Sequence, residues 1–503
     1  MAADREIKLK LLVESWCNRV VFAECDSEFV DVLFSFLTMP MGSIIHLCGK
    51  ETKMGCIDRL YQSVEELDER FFENEACKSM LLRPRSPSEL KCANLAVNYN
   101  VAAPSTGYHL YACNCIYSKD PVSYYRGCQC RLCGGIMDHQ LALRYPSGSS
   151  GVFVQQKKEF VVRDDLQVIP FVASETLSVM KKLGNTRNTV EERDVKIGSE
   201  EVLRLLKCSL HSQTALTDAL LSNNIPITGQ VKLKSDEKAS DFVKNEQTNK
   251  GRRTMKRKLV MNRETKEVLH LEAREDLVNQ ILSFLTFPFG SVLKLMRGSA
   301  AGSPFLGSSV SNIYSAAEEF STGGDNPFKS EESKTELVSP RLGCFMGCDD
   351  QLLIHHLVDE ADSPPFYTVY CHAKYRSPCA LDVIDTEPGY CRHSIKKVQK
   401  NAINPKLPNG GTAKGGGFMR TNTSCIITDD LSIKPLSSST VFLVMNRYRL
   451  IVDEVEKQEI SIGEEEAAAI LRASMTSQTV LTDVFIRTGD KGKSFCTAGT
   501  LGA

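Results

Sequence analysis

Five cysteines between residues 113 and 133 are the side chains in this sequence best suited to chemistry. Cys113 and Cys115 form one close pair, and Cys130 and Cys133 form a second pair that is followed by glycine. Two thiolate pairs brought together bind zinc tetrahedrally, and a Cys-x-x-Cys turn before glycine lets backbone amides approach the sulfurs. The spacing therefore predicts a zinc site formed by these four residues, with Cys128 as a spare that could replace one of them.

The predicted site is structural, because four thiolates leave no coordination position for water. Unliganded cysteines and redox chemistry are the alternatives. A redox site of the thioredoxin type opens a helix directly after a strand, and the pair at Cys130 and Cys133 lacks that setting. The second half of the chain keeps only scattered candidates for a metal site: Cys371, His372, Cys379, Cys391 and His393. A second site is conceivable there, but degenerate repeat sequence is the favoured interpretation.

Two repeated carboxylate pairs are also candidates for acid–base chemistry. Asp164 and Asp165 recur as Asp429 and Asp430. Adjacent residues of an extended segment point to opposite faces, so neither pair forms a facing dyad. A turn between two strands, where Asp side chains satisfy backbone amides, is the better interpretation.

The elements that must position these residues occur twice along the chain. The segment from Leu33 to Ser43 recurs, at a constant offset, from Ile281 to Ser291. A second segment, from Asp164 to Asp218, recurs at a larger constant offset from Asp429 to Asp483, which places a net insertion between the matched blocks. We therefore expect a first copy at 7–227, a basic polar linker at 228–257, a second copy at 258–490 with flexible inserts at about 297–340 and 404–417, and a flexible tail at 491–503.

Each copy predicts a small α+β unit. Two short apolar runs indicate a strand pair, and a helix follows in which apolar residues recur at i, i+3, i+4 and i+7. Pro40 or Pro288 should end this helix, and the runs after them, Ser43 to Leu47 and Ser291 to Leu295, are expected to be extended. The predicted fold is thus a tandem repeat of two similar α+β domains, each a small mixed or antiparallel sheet with packed helices. A zinc-knuckle-like insertion is expected in the first.

Composition limits the classes of partner. The 61 Lys and Arg residues balance 62 Asp and Glu residues, so no global field draws the chain to nucleic acid or to an anionic membrane. A basic run from Lys250 to Lys258 could be a nuclear localisation signal or a phosphate-binding patch. No aromatic residues interleave that run, so a solvated linker is the simpler interpretation.

The sequence favours a cytoplasmic location, with the nucleus as an alternative. The first residues are charged and precede no apolar segment of the secretory type. No run reaches the roughly 18 apolar residues needed to cross a bilayer, so membrane insertion is not expected. Nineteen cysteines in a reducing compartment are not expected to form a disulfide framework.

The combined motifs resemble a plant family of uncharacterised proteins named as domain of unknown function 674. The resemblance rests on the Leu-Thr-x-Pro-x-Gly-Ser motif after the first helix, the knuckle at Cys130 and Cys133, and the Asp-Asp-Leu turns. It covers nearly the whole chain apart from the inserts, and implies a plant source and a duplicated family domain. It implies no established activity. The sequence departs from the family pattern at Arg131, where proline is usual, and at Ser394, where the second copy loses a cysteine.

These observations favour a non-enzymatic interaction or scaffold protein with a structural zinc ion and an unknown protein partner. Two alternatives remain open. An enzyme could assemble its site from distant residues that leave no local motif. A nucleic-acid-associated protein could use the basic linker.

Overall fold

The computed structural model describes a large part of the chain, namely residues 6–93, 95, 97, 109–113, 121–144, 151–171, 190–221, 254–297, 308–320, 326–353, 360–363, 366–371, 380–383, 395–407 and 410–487. Helices and antiparallel sheets alternate in these residues, which confirms the predicted α+β class. Within the described ranges, no helix is both long enough and apolar enough to span a membrane.

The strands are, in chain order, β1 (Ile7–Glu14), β2 (Arg19–Asp26), β3 (His109–Ala112), β4 (Cys128–Gln129), β5 (Ile136–Met137), β6 (His139–Arg144), β7 (Glu159–Arg163), β8 (Val168–Pro170), β9 (Val190–Ile197), β10 (Met255–Asn262), β11 (Val268–Arg274), β12 (Phe366–Cys371), β13 (Ala380–Val383), β14 (Ile395–Lys400), β15 (Ser424–Thr428), β16 (Ile433–Pro435) and β17 (Val455–Ile462).

The helices are α1 (Ser27–Thr38), α2 (Met41–Leu47), α3 (Ile57–Glu66), α4 (Glu75–Leu82), α5 (Glu89–Cys92), α6 (Ser199–Ser209), α7 (Ala215–Leu220), α8 (Glu275–Leu282), α9 (Phe289–Arg297), α10 (Ser309–Glu319), α11 (Glu331–Val338), α12 (Ser438–Arg447), α13 (Glu464–Ser474) and α14 (Val480–Thr482). Short 3₁₀ turns lie between some of them.

Two sheets have the same strand order, one in each repeated segment. The first has the order β8-β7-β2-β1-β9 and the second β16-β15-β11-β10-β17. Their registers also agree, because Leu11 lies opposite Ala23 and their repeat equivalents, Leu259 and Leu271, likewise lie opposite each other. The predicted opening strand pairs are therefore confirmed. In β1, alternate residues from Ile7 onwards are buried, as expected for a strand with one face on a core.

The two halves interlock, because each places one helix on the other's sheet. Helix α3 of the first half packs on β16, where the N–H of Ile433 donates to Oγ of Ser63 at 3.0 Å. Helix α10 of the second half packs on β8, and Nδ2 of Asn312 donates to the carbonyl of Asp165 at 2.8 Å. One hydrophobic core accordingly runs through both halves.

A third sheet takes strands from both halves in the order β14-β12-β13-β6-β3. Strands β6 of the first half and β13 of the second pair in parallel, whereas the other neighbours are antiparallel. The sequence alone left open whether the two copies share a sheet. In the structure, strands from both halves of the chain lie in this one sheet.

The segments after the two prolines differ from expectation. Residues 43–47 and 291–295 were expected to be extended, but they lie in helices α2 and α9. The prolines do end the preceding helical segments, because proline lacks the N–H needed to continue a helix. Proline is nevertheless compatible with the start of a helix, so the chain re-enters helix directly after each one.

The inserts of the second half also contain regular structure where little was expected. The range 297–340 includes α10 and α11. Helix α10 buries Val310, Ile313, Tyr314 and Ala317, whose i, i+3, i+4 and i+7 spacing forms one apolar face.

The second insert and the linker show similar differences. In the described part of 404–417, Nδ2 of Asn404 donates to the carbonyls of Ala413 and Gly415, both at 2.9 Å. Strand β10 begins at Met255, so the last residues of the range expected to be linker lie in a strand.

Candidate functional site

Three of the four residues predicted to bind zinc lie together. The Sγ atoms of Cys113, Cys130 and Cys133 are all within 4.8 Å of one another, and those of Cys113 and Cys133 are 3.2 Å apart. Thiolates in a tetrahedron at about 2.3 Å from zinc lie about 3.8 Å from each other. The three sulfurs are therefore spaced to share one metal ion. Cys115 lies outside the described residues.

A tight turn after β4 presents two of these sulfurs. The N–H of Cys130 donates to the carbonyl of Gly135 at 2.8 Å, and the N–H of Gly134 donates to the carbonyl of Cys130 at 2.9 Å. Gly134 has φ of +70°, a conformation that glycine adopts without steric cost. The N–H of Gly135 donates to Sγ of Cys133 at 3.3 Å. A backbone donor in that position would orient the sulfur of a metal-bound cysteine.

The third sulfur reaches the turn from the end of β3. Tyr111 and Ser123 exchange backbone hydrogen bonds of 2.8 Å in both directions, which holds the end of β3 beside the loop that leads into β4. Cys113 follows directly. A Cβ atom on Gly135 would lie 3.2 Å from Sγ of Cys133 and 3.5 Å from Sγ of Cys113, so glycine leaves room where the sulfurs converge.

Cys128 is not part of this group. Its Sγ lies 2.9 Å from Oγ of Ser123 and donates to the carbonyl of Tyr125 at 3.4 Å. The side chain is buried, and desolvation raises the pKa of its thiol to about 12. Cys128 therefore packs as a neutral core residue, and the geometry does not bring it to the place of a spare ligand.

The other cysteines and histidines of the second half give no site that can be described. Cys371 is the last residue of β12, whereas His372, Cys379, Cys391 and His393 lie outside the described residues. In the part of the chain that the structure describes, the group at Cys113, Cys130 and Cys133 is the one cluster of at least three potential metal ligands.

The repeated carboxylates have a structural role. Asp164 and Asp429 lie in the turns between β7 and β8 and between β15 and β16, as predicted. Asp164 accepts from the N–H of Thr217 at 2.9 Å, and Asp429 accepts from the N–H of Thr482 at 2.8 Å. Burial raises the pKa of both carboxyl groups. Each therefore ties its turn to the short helix that follows the repeated Ser-Gln-Thr motif.

Part of the basic run lies in β10. Lys256 pairs with Glu459 at 3.2 Å, and Arg257 pairs with Asp276. These two cations already face acidic partners, which counts against an extended phosphate-binding patch. Residues 250–253 lie outside the described ranges.

A surface that the sequence reasoning missed is centred on α12. Val444 packs with Val260, Leu269 and Ile426 on the outer face of the second sheet. The helix also exposes Phe442 and Leu443 to solvent. The sequence does contain an indication of this surface. Residues 441–444 are all apolar, and a helix that buries only one face does not need four consecutive apolar residues.

This surface borders a groove. A cavity of about 370 Å³ lies between α12 and the segment from Glu66 to Phe71. A smaller polar cavity of about 190 Å³ adjoins it and shares Glu66, Lys434 and Arg447. The first cavity has mainly apolar walls and the second has mainly polar and charged ones.

Comparisons with known proteins agree with the motifs. No curated protein and no solved structure matches the chain. One family model, described as "Protein of unknown function (DUF674)", matches residues 3–465. That match spans both sheets, the cysteine cluster and the groove. The chain therefore belongs to this uncharacterised domain family.

Proposed function

We propose that this chain is a non-enzymatic interaction protein and that a structural zinc ion stabilises its first half. The observation that carries the metal assignment is the convergence of Cys113, Cys130 and Cys133 from two separate segments. Cys115 is proposed as the fourth ligand. Four thiolates would close the coordination shell, so the ion would stabilise the fold and bind no substrate.

The proposed zinc ion would connect the two halves indirectly. Cys113 directly follows β3, and β3 pairs with β6, which in turn pairs with β13 of the second half. Fixing Cys113 to the turn after β4 would therefore secure one edge of the shared sheet. Structural zinc contributes on the order of 10 kcal/mol of apparent binding free energy in small zinc domains, enough to order such a segment. A reducing compartment such as the cytoplasm would keep the thiols available.

Zinc content of the purified full chain tests the metal assignment. We expect about one zinc ion per chain in the wild type and a loss of zinc when Cys130→Ser and Cys133→Ser are combined. Cys128→Ser is the matched control, because it removes a neighbouring cysteine that lies outside the cluster. Equal zinc in the wild type and the double variant would refute the site.

The interaction role is supported by the distribution of exposed apolar residues. Ten large hydrophobic side chains are exposed among the described residues, and five of them lie within 436–452. Such a concentration on a protein surface usually marks a binding site. Affinity capture from the native tissue, with the unfolded chain as control, tests this role. Recovery of the same proteins by both would contradict it.

The halves are best explained as two tandem copies of one ancestral unit. Matching strand orders, matching registers and the reciprocal exchange of α3 and α10 support this proposal. In such an arrangement, each copy completes the other. The duplicated chain would then be an intramolecular equivalent of a swapped dimer.

A further inference from the structure

The groove beside α12 has the form of a site for apolar side chains. Its first-half wall contributes Leu67 and Phe71, and its second-half wall contributes Ile433, Leu443 and Tyr448. At about 370 Å³, it is large enough for more than one side chain of a bound segment. Leu443 is 66% exposed, so it presents apolar surface that nothing in the described residues covers.

The second-half rim of this groove is positively charged. Lys434 and Arg447 line it, and the sequence has no acidic residue from Lys434 to Val452. Arg447 lies 3.9 Å from Asp430, which balances part of its charge. Among the described residues, Lys434 has no acidic group within ion-pair distance.

One of the two acidic groups on the opposite wall already has a cationic partner. Asp68 pairs with Arg70 at 3.5 Å and also accepts from its backbone N–H at 2.9 Å. Glu66 accepts from Nε2 of Gln62 at 2.6 Å. Gln62 is neutral, so Glu66 keeps its negative charge. The side chains that line the groove carry three cations, Arg70, Lys434 and Arg447, against two carboxylates, so the net charge of the groove is positive.

We propose that this groove binds an acidic amphipathic helical segment of a partner protein. The proposal rests on the interaction role above and specifies its partner. Apolar side chains on one face of that segment would enter the cavity beside Leu443, and carboxylates flanking them would face Lys434 and Arg447. Amphipathic helices commonly bind in this way, with anchors at i, i+3, i+4 and i+7. Opposite charges on the rim would guide the encounter and fix the orientation.

The chain's own neighbouring segments do not have the required charge. Residues 222–253 contain seven Lys or Arg against four Asp or Glu, and residues 488–503 contain two Lys against one Asp. Either segment would bring more positive charge to a cationic rim. A bilayer surface would also match apolar and cationic side chains, but it would leave the concave cavity unfilled. A helical protein segment would fill the cavity with its apolar side chains and would also pair with the cationic side chains beside it.

The test uses the full chain and a fluorescein-labelled amphipathic helical peptide with leucines along one face and glutamates along the other. Fluorescence anisotropy should detect binding, and the same peptide with lysines in place of the glutamates should bind at least about tenfold more weakly. Leu443→Asp should weaken binding of the acidic peptide by about tenfold or more, because it removes an apolar contact and adds a repelling charge. Lys434→Glu should also weaken it.

Trp16→Ser is the matched control, since Trp16 is likewise a large apolar side chain, 71% exposed, but lies outside 436–452 and does not line the groove. Its affinity for the acidic peptide should equal that of the wild type. Equal binding of both peptides, no binding of either, or an unchanged affinity in Leu443→Asp would overturn the proposal. Leu443-dependent binding to phosphatidylserine vesicles without peptide binding would overturn it in favour of a membrane surface. Partner capture that persists in Leu443→Asp would leave the interaction role intact and refute only the groove.

Discussion

Pro40 and Pro288, which occupy equivalent positions in the two repeated segments, face each other across an antiparallel bridge. The N–H of Met41 donates to the carbonyl of Phe287 at 3.0 Å, and the N–H of Phe289 donates to the carbonyl of Met39 at 2.9 Å. The contact is reciprocal, as at a two-fold axis between identical subunits. The repeat motif thus forms the junction between the halves.

A second reciprocal exchange extends this junction. Phe72 of the first half bridges to Met419 of the second, and Phe328 of the second half bridges to Val154 of the first. Met419 is the repeat equivalent of Val154, since the two are related by the same offset as Asp429 and Asp164. Both halves therefore depend on backbone pairing with each other.

Cleavage of the covalent connection should not separate the halves. We expect a chain cut at a protease site introduced within 222–253 to elute from gel filtration as one species with the volume of the intact chain. The two halves should stay associated because they share one hydrophobic core and exchange helices α3 and α10. The surface buried in these contacts does not depend on the peptide link. Denaturing gel electrophoresis confirms the cut. Two separate species in native buffer would contradict an interlocked fold.

The glycines near the bridged prolines should resist substitution. A Cβ atom on Gly42 would lie 2.6 Å from the carbonyl oxygen of Leu81, and one on Gly290 would lie 2.5 Å from that of Leu337. Backbone atoms cannot move aside easily, so Gly42→Ala or Gly290→Ala should each lower the free energy of unfolding by about 1–3 kcal/mol. Urea denaturation measures the change. Gly198→Ala is the control, since its nearest neighbour is a flexible side-chain atom at 3.4 Å.

A buried carboxylate in the first half has an amide as its counterpart in the second. Asp31 accepts backbone N–H bonds from the segment Val152–Val154 at 2.6 to 3.0 Å. Asn279, the repeat equivalent of Asp31, accepts from the N–H groups of Phe418 and Met419 at 2.9 and 3.0 Å. An amide oxygen can therefore perform much of the same task in this fold.

This pair predicts a pH dependence. Burial raises the pKa of Asp31, even though its hydrogen bonds oppose the shift. The folded state therefore keeps the proton to higher pH than the unfolded state, and its stability falls as pH rises through the folded pKa. Asp31→Asn removes this loss, so its free energy of unfolding should improve relative to the wild type between about pH 3 and pH 7. Urea denaturation at several pH values measures the difference. A relative decline of the variant with rising pH would refute the assignment.

Local patterns in the sequence were sufficient for much of each sheet. The hairpin before α1, the helix stop at Pro40 and the turn at Asp164 depend on alternation, on a missing N–H and on Asx bonding, which act over a few residues. The exchange of α3 and α10 depends on contacts between residues far apart in the chain. No local rule distinguishes packing on the chain's own sheet from packing on the other one.

The cysteine cluster and the groove also differ in how far the sequence could predict them. Cysteine spacing predicted a group that includes Cys113, Cys130 and Cys133, and the sulfurs of these three residues converge. The same spacing could not show that Cys128 faces the core. The groove beside Leu443 was not predictable, since its two walls come from segments in different halves and their exposure depends on tertiary packing.

X-ray absorption spectroscopy at the zinc edge of the purified full chain tests the central claim most directly. The proposed site predicts about four sulfur neighbours at about 2.3 Å from the metal, with Cys115 supplying the fourth beside the three observed to converge. Cys115→Ser should reduce that number to about three. A coordination shell made of nitrogen and oxygen, or an absence of bound zinc, would contradict the claim that a thiolate-bound zinc ion stabilises the first half.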